Sequence, residues 1–276
     1  IARTENLISF GLLKDIGKAV SALRECILKK KKVCIVADYD VDGATACSIG
    51  LLGFKMLGMN ITYVVPDRFR DGYGLTPGVV DQAIAKENPD VIVTVDNGVA
   101  SIDGIKYSNS KKIPVIVTDH HLQGDVLPEA FCIVNPNRND CTFPSKALAG
   151  CGVIFYVVCA LKEFMIMKGD FTRGNAPNVN SLLDLVAIGT VSDLVKLDKN
   201  NRLLVDAGLR MIRNKKTRPG VLALIEVAGA KYEDLTTMDI GFKIGPRLNA
   251  AGRLEDMSIG INCLIEEDYE KAIEYA

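Results

Sequence analysis

Apolar residues fall in two rhythms along this chain. Leu12, Leu13, Ile16, Val20, Leu23 and Ile27 recur at helical spacing and predict an amphipathic helix over roughly residues 11–30. From Val33 onward the period shortens. Runs rich in β-branched residues at 33–37, 61–65, 91–95, 115–118 and 131–134 predict strands, with segments such as 43–57 and 77–86 long enough for crossover helices. Strands alternating with helices imply an α/β fold, a mostly parallel sheet flanked by helices on both faces. Beyond Asn135 the pattern turns mainly helical: 147–167, 181–195 and 201–214 carry apolar residues at helical spacing, and the polar stretch 168–180 reads as a loop. The expected organisation is an α/β part over 1–135, a mainly helical part of the same domain over 136–260, and the start of a linker helix over 261–276. Ile1 in place of Met, and a last helical pattern without a stop signal, suggest a piece cut from something longer.

Three of these strands run straight into acids or histidines. Asp38, Asp40 and Asp42 come after the first run, Asp96 after the third, and Asp119, His120 and His121 after the fourth; the two histidines are the only ones in the chain. In an open parallel sheet the carboxyl ends of the strands share one edge, where ligands bind, so the three clusters can meet. One such acid, taken singly, is well explained as a helix cap. Capping does not explain three alternating acids together with a histidine pair. Like charges crowded in a crevice repel and lose solvation unless cations neutralise them. Carboxylates with one or two imidazoles suit Mn²⁺ or Mg²⁺, and two ions ~3.5–4 Å apart would support attack of water on a phosphate. The helical half adds Asp184, which reads as an acid facing a helix N-terminus, and Asp193, at the end of an apolar run and the better candidate ligand.

Composition narrows the picture further. Lys plus Arg number 33 against 34 Asp plus Glu, so no global basic field announces nucleic-acid binding, and any such contact must be local. Eight scattered cysteines without a C-x-x-C pair read as reduced thiols of a cytoplasmic protein rather than a disulfide frame or a zinc site. No stretch is expected to reach the length of a membrane span, and no leader pattern opens the chain. Neither G-x-G-x-x-G nor G-x-x-x-x-G-K-[ST] comes after a strand, which argues against a plain nucleotide-binding domain.

The segments DYDVDG (38–43), VTVDNG (93–98), TDHH (118–121) and IGTVSDLV (188–195) resemble, in order and spacing, the four motifs of the DHH phosphoesterases. Together with PDRFRDGYG (66–74), NPNR (135–138), LAGCGV (148–153) and GPRLNAAGR (245–253), they are similar to the branch of that family made of single-strand-specific 5′→3′ DNA exonucleases. The resemblance covers about residues 30–256. It implies a two-ion site for Mn²⁺ or Mg²⁺, with Asp96 bridging, Asp40 a ligand of one ion, and Asp42, His120 and Asp193 ligands of the other. Asp38 and His121 are either direct ligands or orient water and the phosphate, and Asp119 holds a histidine in place. Arg68, Arg247 and Arg253, with Asn249, are the expected phosphate-binding residues, since arginine grips phosphate bidentately. Tyr73 is a candidate to stack on a base.

The implied activity is release of 5′ mononucleotides from single-stranded DNA in repair and recombination. The implied partners are single-stranded DNA, a single-strand-binding protein and a helicase; the protein is expected to be a monomer and no membrane is expected. The resemblance also implies that the chain stops before a DHH-associated domain. Two alternatives stand beside this reading: a phosphodiesterase for short oligonucleotides or cyclic dinucleotides, and a non-catalytic replication scaffold, which would have lost metal ligands that this sequence keeps.

Overall fold

The computed structural model describes residues 4–67, 70–254 and 256–276. In chain order the helices and strands through the sheet are α1 (Ile16–Leu28), β1 (Lys32–Ala37), α2 (Val41–Met56), β2 (Asn60–Val64), α3 (Pro77–Glu87), β3 (Val91–Val95), α4 (Ile102–Ser110), β4 (Val115–Thr118) and β5 (Cys132–Val134). The strands form one parallel sheet in the order β2-β1-β3-β4-β5. Its register pairs Ala37 with Val95, Thr94 with Val117, and Thr118 with Val134, so the ends of β1, β3 and β4 lie side by side.

Strand alternation sorts the core into two layers. Val33, Ile35, Ala37, Val91, Val93, Val95 and Ile116 join the cluster built with α1 and α2. Cys34, Val36, Ile92, Val115 and Val117 join the one beneath α3 and α4, with Val79, Val80, Ala83 and Ile105. Both faces are therefore dry, and each fully buried Val or Ile contributes about 1.5–3 kcal/mol through removal from water.

The remaining helices are α5 (Gly150–Met167), α6 (Leu183–Ser192), α7 (Lys199–Arg213), α8 (Pro219–Val227), a short α9 (Thr237–Asp239) running through a π-turn (Ile240–Ile244) into α10 (Gly245–Leu254), then α11 (Ser258–Ile265) and α12 (Tyr269–Tyr275). Residues 183–190 of α6 are all buried, because the helix is apolar on every side and packs among α2, α5 and α7. The last helix folds back on α8 and α11 and buries Ala272.

Three expectations need correction. The first long helix begins at Ile16, not near 11: Phe10–Leu12 make a separate 3₁₀ turn, and Asp15 sits at φ +66°, outside helical geometry. Its carboxylate accepts from the Ile133 amide at 3.0 Å and from Arg138 Nη1 at 2.8 Å, tying the turn to β5. The second helix begins earlier than expected, at Val41, because Asp40 caps it. Finally, α5 is by length and composition apolar enough to cross a membrane, with mean hydropathy 1.8 over 18 residues, although 67% of it is buried inside the fold. It is the central core helix, in contact with α1, α2 and α6.

Candidate metal centre

The carboxyl edge of the sheet gathers the predicted acids. Asp40 has extended backbone and its Oδ1 accepts from the Gly43 amide at 2.6 Å, so it is a true N-cap as well as a site residue. Asp42 sits in the first turn of α2, with only 1% of its surface exposed. Its two oxygens accept from the amides of Gly150 (2.7 Å) and Cys151 (2.8 Å), the first turn of α5, where the helix dipole favours an anion. A side chain at residue 150 would collide with this arrangement: a Cβ there would lie 2.7 Å from Asp96 Oδ1 and 2.9 Å from Asp42 Oδ2.

Asp96 comes directly after β3 at φ +60°, a conformation that non-glycine residues adopt sparingly and that concentrates at functional sites. It is fully buried, and neither of its carboxylate oxygens has a hydrogen-bond partner. His120 Nε2 lies 2.8 Å from Asp96 Oδ1, 3.5 Å from Asp42 Oδ2 and 3.7 Å from Asp193 Oδ2. The 2.8 Å approach lacks hydrogen-bond alignment, since the same Nε2 is also without a partner. Three carboxylates and one imidazole thus point at common space without satisfying one another. Asp193, the C-cap of α6, arrives from the helical half.

Ligand-type atoms of Asp38, Asp40 and Asp96 lie within 4.8 Å of one another, as do those of Asp42, His120 and Asp193, and those of Asp96, His120 and His121. Asp96 is common to two of these groups and touches the third through His120. The donor set is oxygen-rich with imidazole, the chemistry of a Mn²⁺ or Mg²⁺ site rather than of a thiolate zinc site. All eight cysteines are free, and Cys151 Sγ faces Val186 and Thr190.

Electrostatics point the same way. Burial, then the charges of Asp42 and Asp40, push the Asp96 carboxyl well above the ordinary carboxylate range. Burial and Asp40 push Asp38 up to about 7, and burial and Asp42 push Asp193 up to about 8. Asp42 also rises through burial, with His120 opposing. In each of these cases the protein alone disfavours the negative form, so the cluster is built for more positive charge than its histidines supply.

Asp119 and His121 form a separate pair. His121 Nδ1 lies 2.7 Å from Asp119 Oδ1, and this hydrogen bond raises the imidazole to about 9. Burial pushes Asp119 up, but bonds from His121 and from the amides of Val99 and His120 outweigh it and hold the carboxyl below its usual value. Tyr73 Oη sits 3.1 Å from His121 Nδ1 and donates to the Asp96 carbonyl at 3.3 Å.

The structure brings together Asp38, Asp40, Asp42, Asp96, Asp119, His120, His121, Asp193 and Tyr73. Arg247, Asn249 and Arg253 lie on α10, which packs beside α6; both arginines are exposed, and none of the three side chains has a hydrogen-bond or ion-pair partner among the described residues. Arg68 lies outside the described residues. Asp184 is no part of the cluster: it accepts from Thr217 at 2.6 Å and from Arg218 at 3.1 Å.

Residue-level sequence reasoning missed the supports. Gly150 and Cys151 hold Asp42. Asn135 Nδ2 donates to the His121 carbonyl at 2.8 Å, and Asn137 Nδ2 donates to the His120 carbonyl, fixing the histidine backbone. Asn97 Nδ2 bridges the carbonyls of Val36 and Val95, closing β1 against β3 just below the cluster. The signal for these lay in the glycine of LAGCGV and the asparagines of NPNR and VTVDNG.

Comparison with known proteins fits this geometry. Residues 32–190 match the model of the DHH family, N-terminal domain. The single-stranded-DNA-specific exonuclease RecJ of Salmonella typhimurium is 49% identical over 271 residues, covering 97% of this chain and 47% of that protein. The chain therefore spans about half the length of this curated relative. Among solved structures, exonuclease RecJ bound to manganese superposes with a TM-score of 0.84 at 29% identity, over 97% of this chain and 65% of that one. RecJ of Thermus thermophilus in complex with Mn²⁺ gives a TM-score of 0.80 at 28% identity, over 95% of this chain and 36% of that one.

Proposed function

The chain belongs to the DHH family, and from that premise we propose that it carries the catalytic site of an exonuclease that hydrolyses single-stranded DNA from its 5′ end with two divalent cations, Mn²⁺ or Mg²⁺. The observation that carries this reading is Asp96: a fully buried carboxylate with both oxygens unpartnered, ringed by further acids. Bound at such a site, a pair of divalent cations acidifies water and offsets charge on the phosphate and on the leaving oxygen.

The chain's own residues divide the work. Asp96, common to two of the ligand groups, would be shared by both cations; Asp38 and Asp40 would hold one, and Asp42, His120 and Asp193 the other. The α5 amides fix the rotamer of Asp42, so the second position is set by backbone and not by a mobile side chain. Asp119 holds the His121 imidazolium through Nδ1, which leaves Nε2 to donate to a non-bridging oxygen of the scissile phosphate. Arg247, Arg253 and Asn249, on α10 beside α6, hold the neighbouring phosphate. The bond broken is that to the 3′ oxygen of the departing nucleotide, so the product is a 5′ mononucleotide.

The test uses the full-length protein, a 5′-labelled single strand and Mn²⁺. Release of labelled mononucleotide, abolished by EDTA and lowered at least ~10³-fold by Asp96→Ala, is the expected result, in keeping with the scale of loss when a group central to transition-state charge stabilisation is removed. Asp96→Ala cleaving as fast as the wild type would refute the reading; faster turnover of dinucleotides or cyclic dinucleotides than of long strands would reassign the substrate.

A further inference from the structure

Leu194 and Leu122, 87% and 81% exposed, are the two most exposed large apolar side chains among the described residues. A lone exposed leucine is ordinary and needs no explanation. These two are not placed at random: Leu194 is the residue after Asp193 and Leu122 the residue after His121. With a Cα step of ~3.8 Å, each stands within a side chain's reach of the carboxylate cluster. They come from separate segments, the end of α6 and the loop after β4, which meet where His120 approaches Asp193.

Both are held in place. Leu194 has φ +57°, the left-handed turn that ends α6 directly after its C-cap Asp193, and its amide donates to the Val191 carbonyl at 3.3 Å. The backbone before Leu122 is pinned by Asn135 and Asn137 through the carbonyls of His121 and His120. The acids and histidines offer charge and ring nitrogens, and Tyr73 adds one aromatic ring against His121. Two exposed aliphatic side chains beside the cluster add what a phosphate does not use: apolar surface that a flat ligand face would remove from water.

Resting on the proposed single-stranded substrate, we infer that Leu122 and Leu194 contact the faces of the unpaired nucleobases on either side of the phosphate at the cluster. Base faces are hidden by stacking in a duplex and available in a single strand, and every base has one, so such contacts select strandedness without reading sequence. The leucines thereby determine specificity, and the carboxylates carry the chemistry.

The experiment compares Leu122→Ser, Leu194→Ser and the double variant on two oligonucleotides. One is normal; the other carries abasic tetrahydrofuran residues at its two 5′-terminal positions. The wild type is expected to prefer the normal strand. On it the single variants lose roughly 3–10-fold and the double variant roughly 10–100-fold in kcat/KM, the lower range for base stacking, while rates on the abasic strand stay within about twofold. A double variant that keeps the wild-type preference overturns the inference, as does an equal loss on both strands, which would make the leucines mere supports of the fold. Fluorescence anisotropy of both oligonucleotides in Ca²⁺ reads the same base contact without turnover. A wild type that binds the normal strand better but cleaves neither refutes the proposed activity and leaves the base contact standing.

Discussion

Replacing Asp96 by asparagine isolates the electrostatic cost built into this fold. Asp96 is 0% exposed, its oxygens accept no hydrogen bond, and Asp38, Asp40 and Asp42 add like charge around it. Without cations at pH 8 the folded protein must either keep a proton on this carboxyl or bear an unpaired buried charge. The asparagine would remove that choice at nearly constant volume and place amide donors among carboxylates. Even a buried ion pair can be replaced by neutral residues of similar volume with a gain of about 1–4 kcal/mol, and that range sets the scale for relieving an unpaired buried carboxylate. In a chain of this size each kcal/mol moves Tm by about 2–4 °C, so Asp96→Asn should melt roughly 2–16 °C above the wild type in EDTA. Mn²⁺ should reverse the order. At 100-fold excess over Kd, one bound ion adds about 2.7 kcal/mol to the wild type, and the variant, lacking the bridging charge, should gain little. Thermal melts of both proteins with EDTA and with Mn²⁺ decide the matter. A variant that is less stable than the wild type in EDTA, or that gains as much from Mn²⁺, would refute the reasoning.

Three further outcomes are expected from the same geometry. Asp38 and Asp193 are raised from an ordinary 3.8 to about 7 and about 8; between about pH 4 and 8 the folded state therefore binds more protons than the unfolded one, and stability in EDTA should fall as pH rises, by up to ~1.4 kcal/mol per pH unit for each proton. Saturating Mn²⁺ should flatten that slope, and melting points in EDTA that climb from pH 5 to pH 8 would contradict it. Gly150→Ala would drive a methyl group against Asp96 and Asp42; cleavage should drop about 10²-fold, the usual penalty for an ångström of misplacement, and normal cleavage would show that these carboxylates are not where the chemistry occurs. Asp184→Ala should cost about 3–5 kcal/mol by stranding Arg218, whose side chain is only 15% exposed, while leaving the Mn²⁺ shift intact; loss of the shift would mean that Asp184 acts on the metal centre.

Much of the fold was legible because its signals are local. The runs 91–95 and 115–118 are β3 and β4 to the residue, since each is a buried parallel strand bounded by polar residues at its carboxyl end. The start of α1 was less legible: Asp15 leaves the helix to reach β5 and Arg138, partners more than a hundred residues away in sequence. The acids and histidines of the cluster could be named because strand ends share an edge. Their division of labour could not, because it depends on long-range contacts such as the α5 amides that take up Asp42. Alternation along an extended chain would have put Asp38, Asp40 and Asp42 on one side. The helix that begins at Val41 instead turns Asp42 toward α5 and leaves Asp40 as its cap.

The most direct test of the central claim is anomalous diffraction at the manganese edge from crystals of the protein soaked in Mn²⁺. Two peaks ~3.5–4 Å apart, both within coordination distance of Asp96, with Asp38 and Asp40 on one side and Asp42, His120 and Asp193 on the other, are the predicted result. Absence of a peak at Asp96, or a lone ion bound elsewhere, would contradict the account.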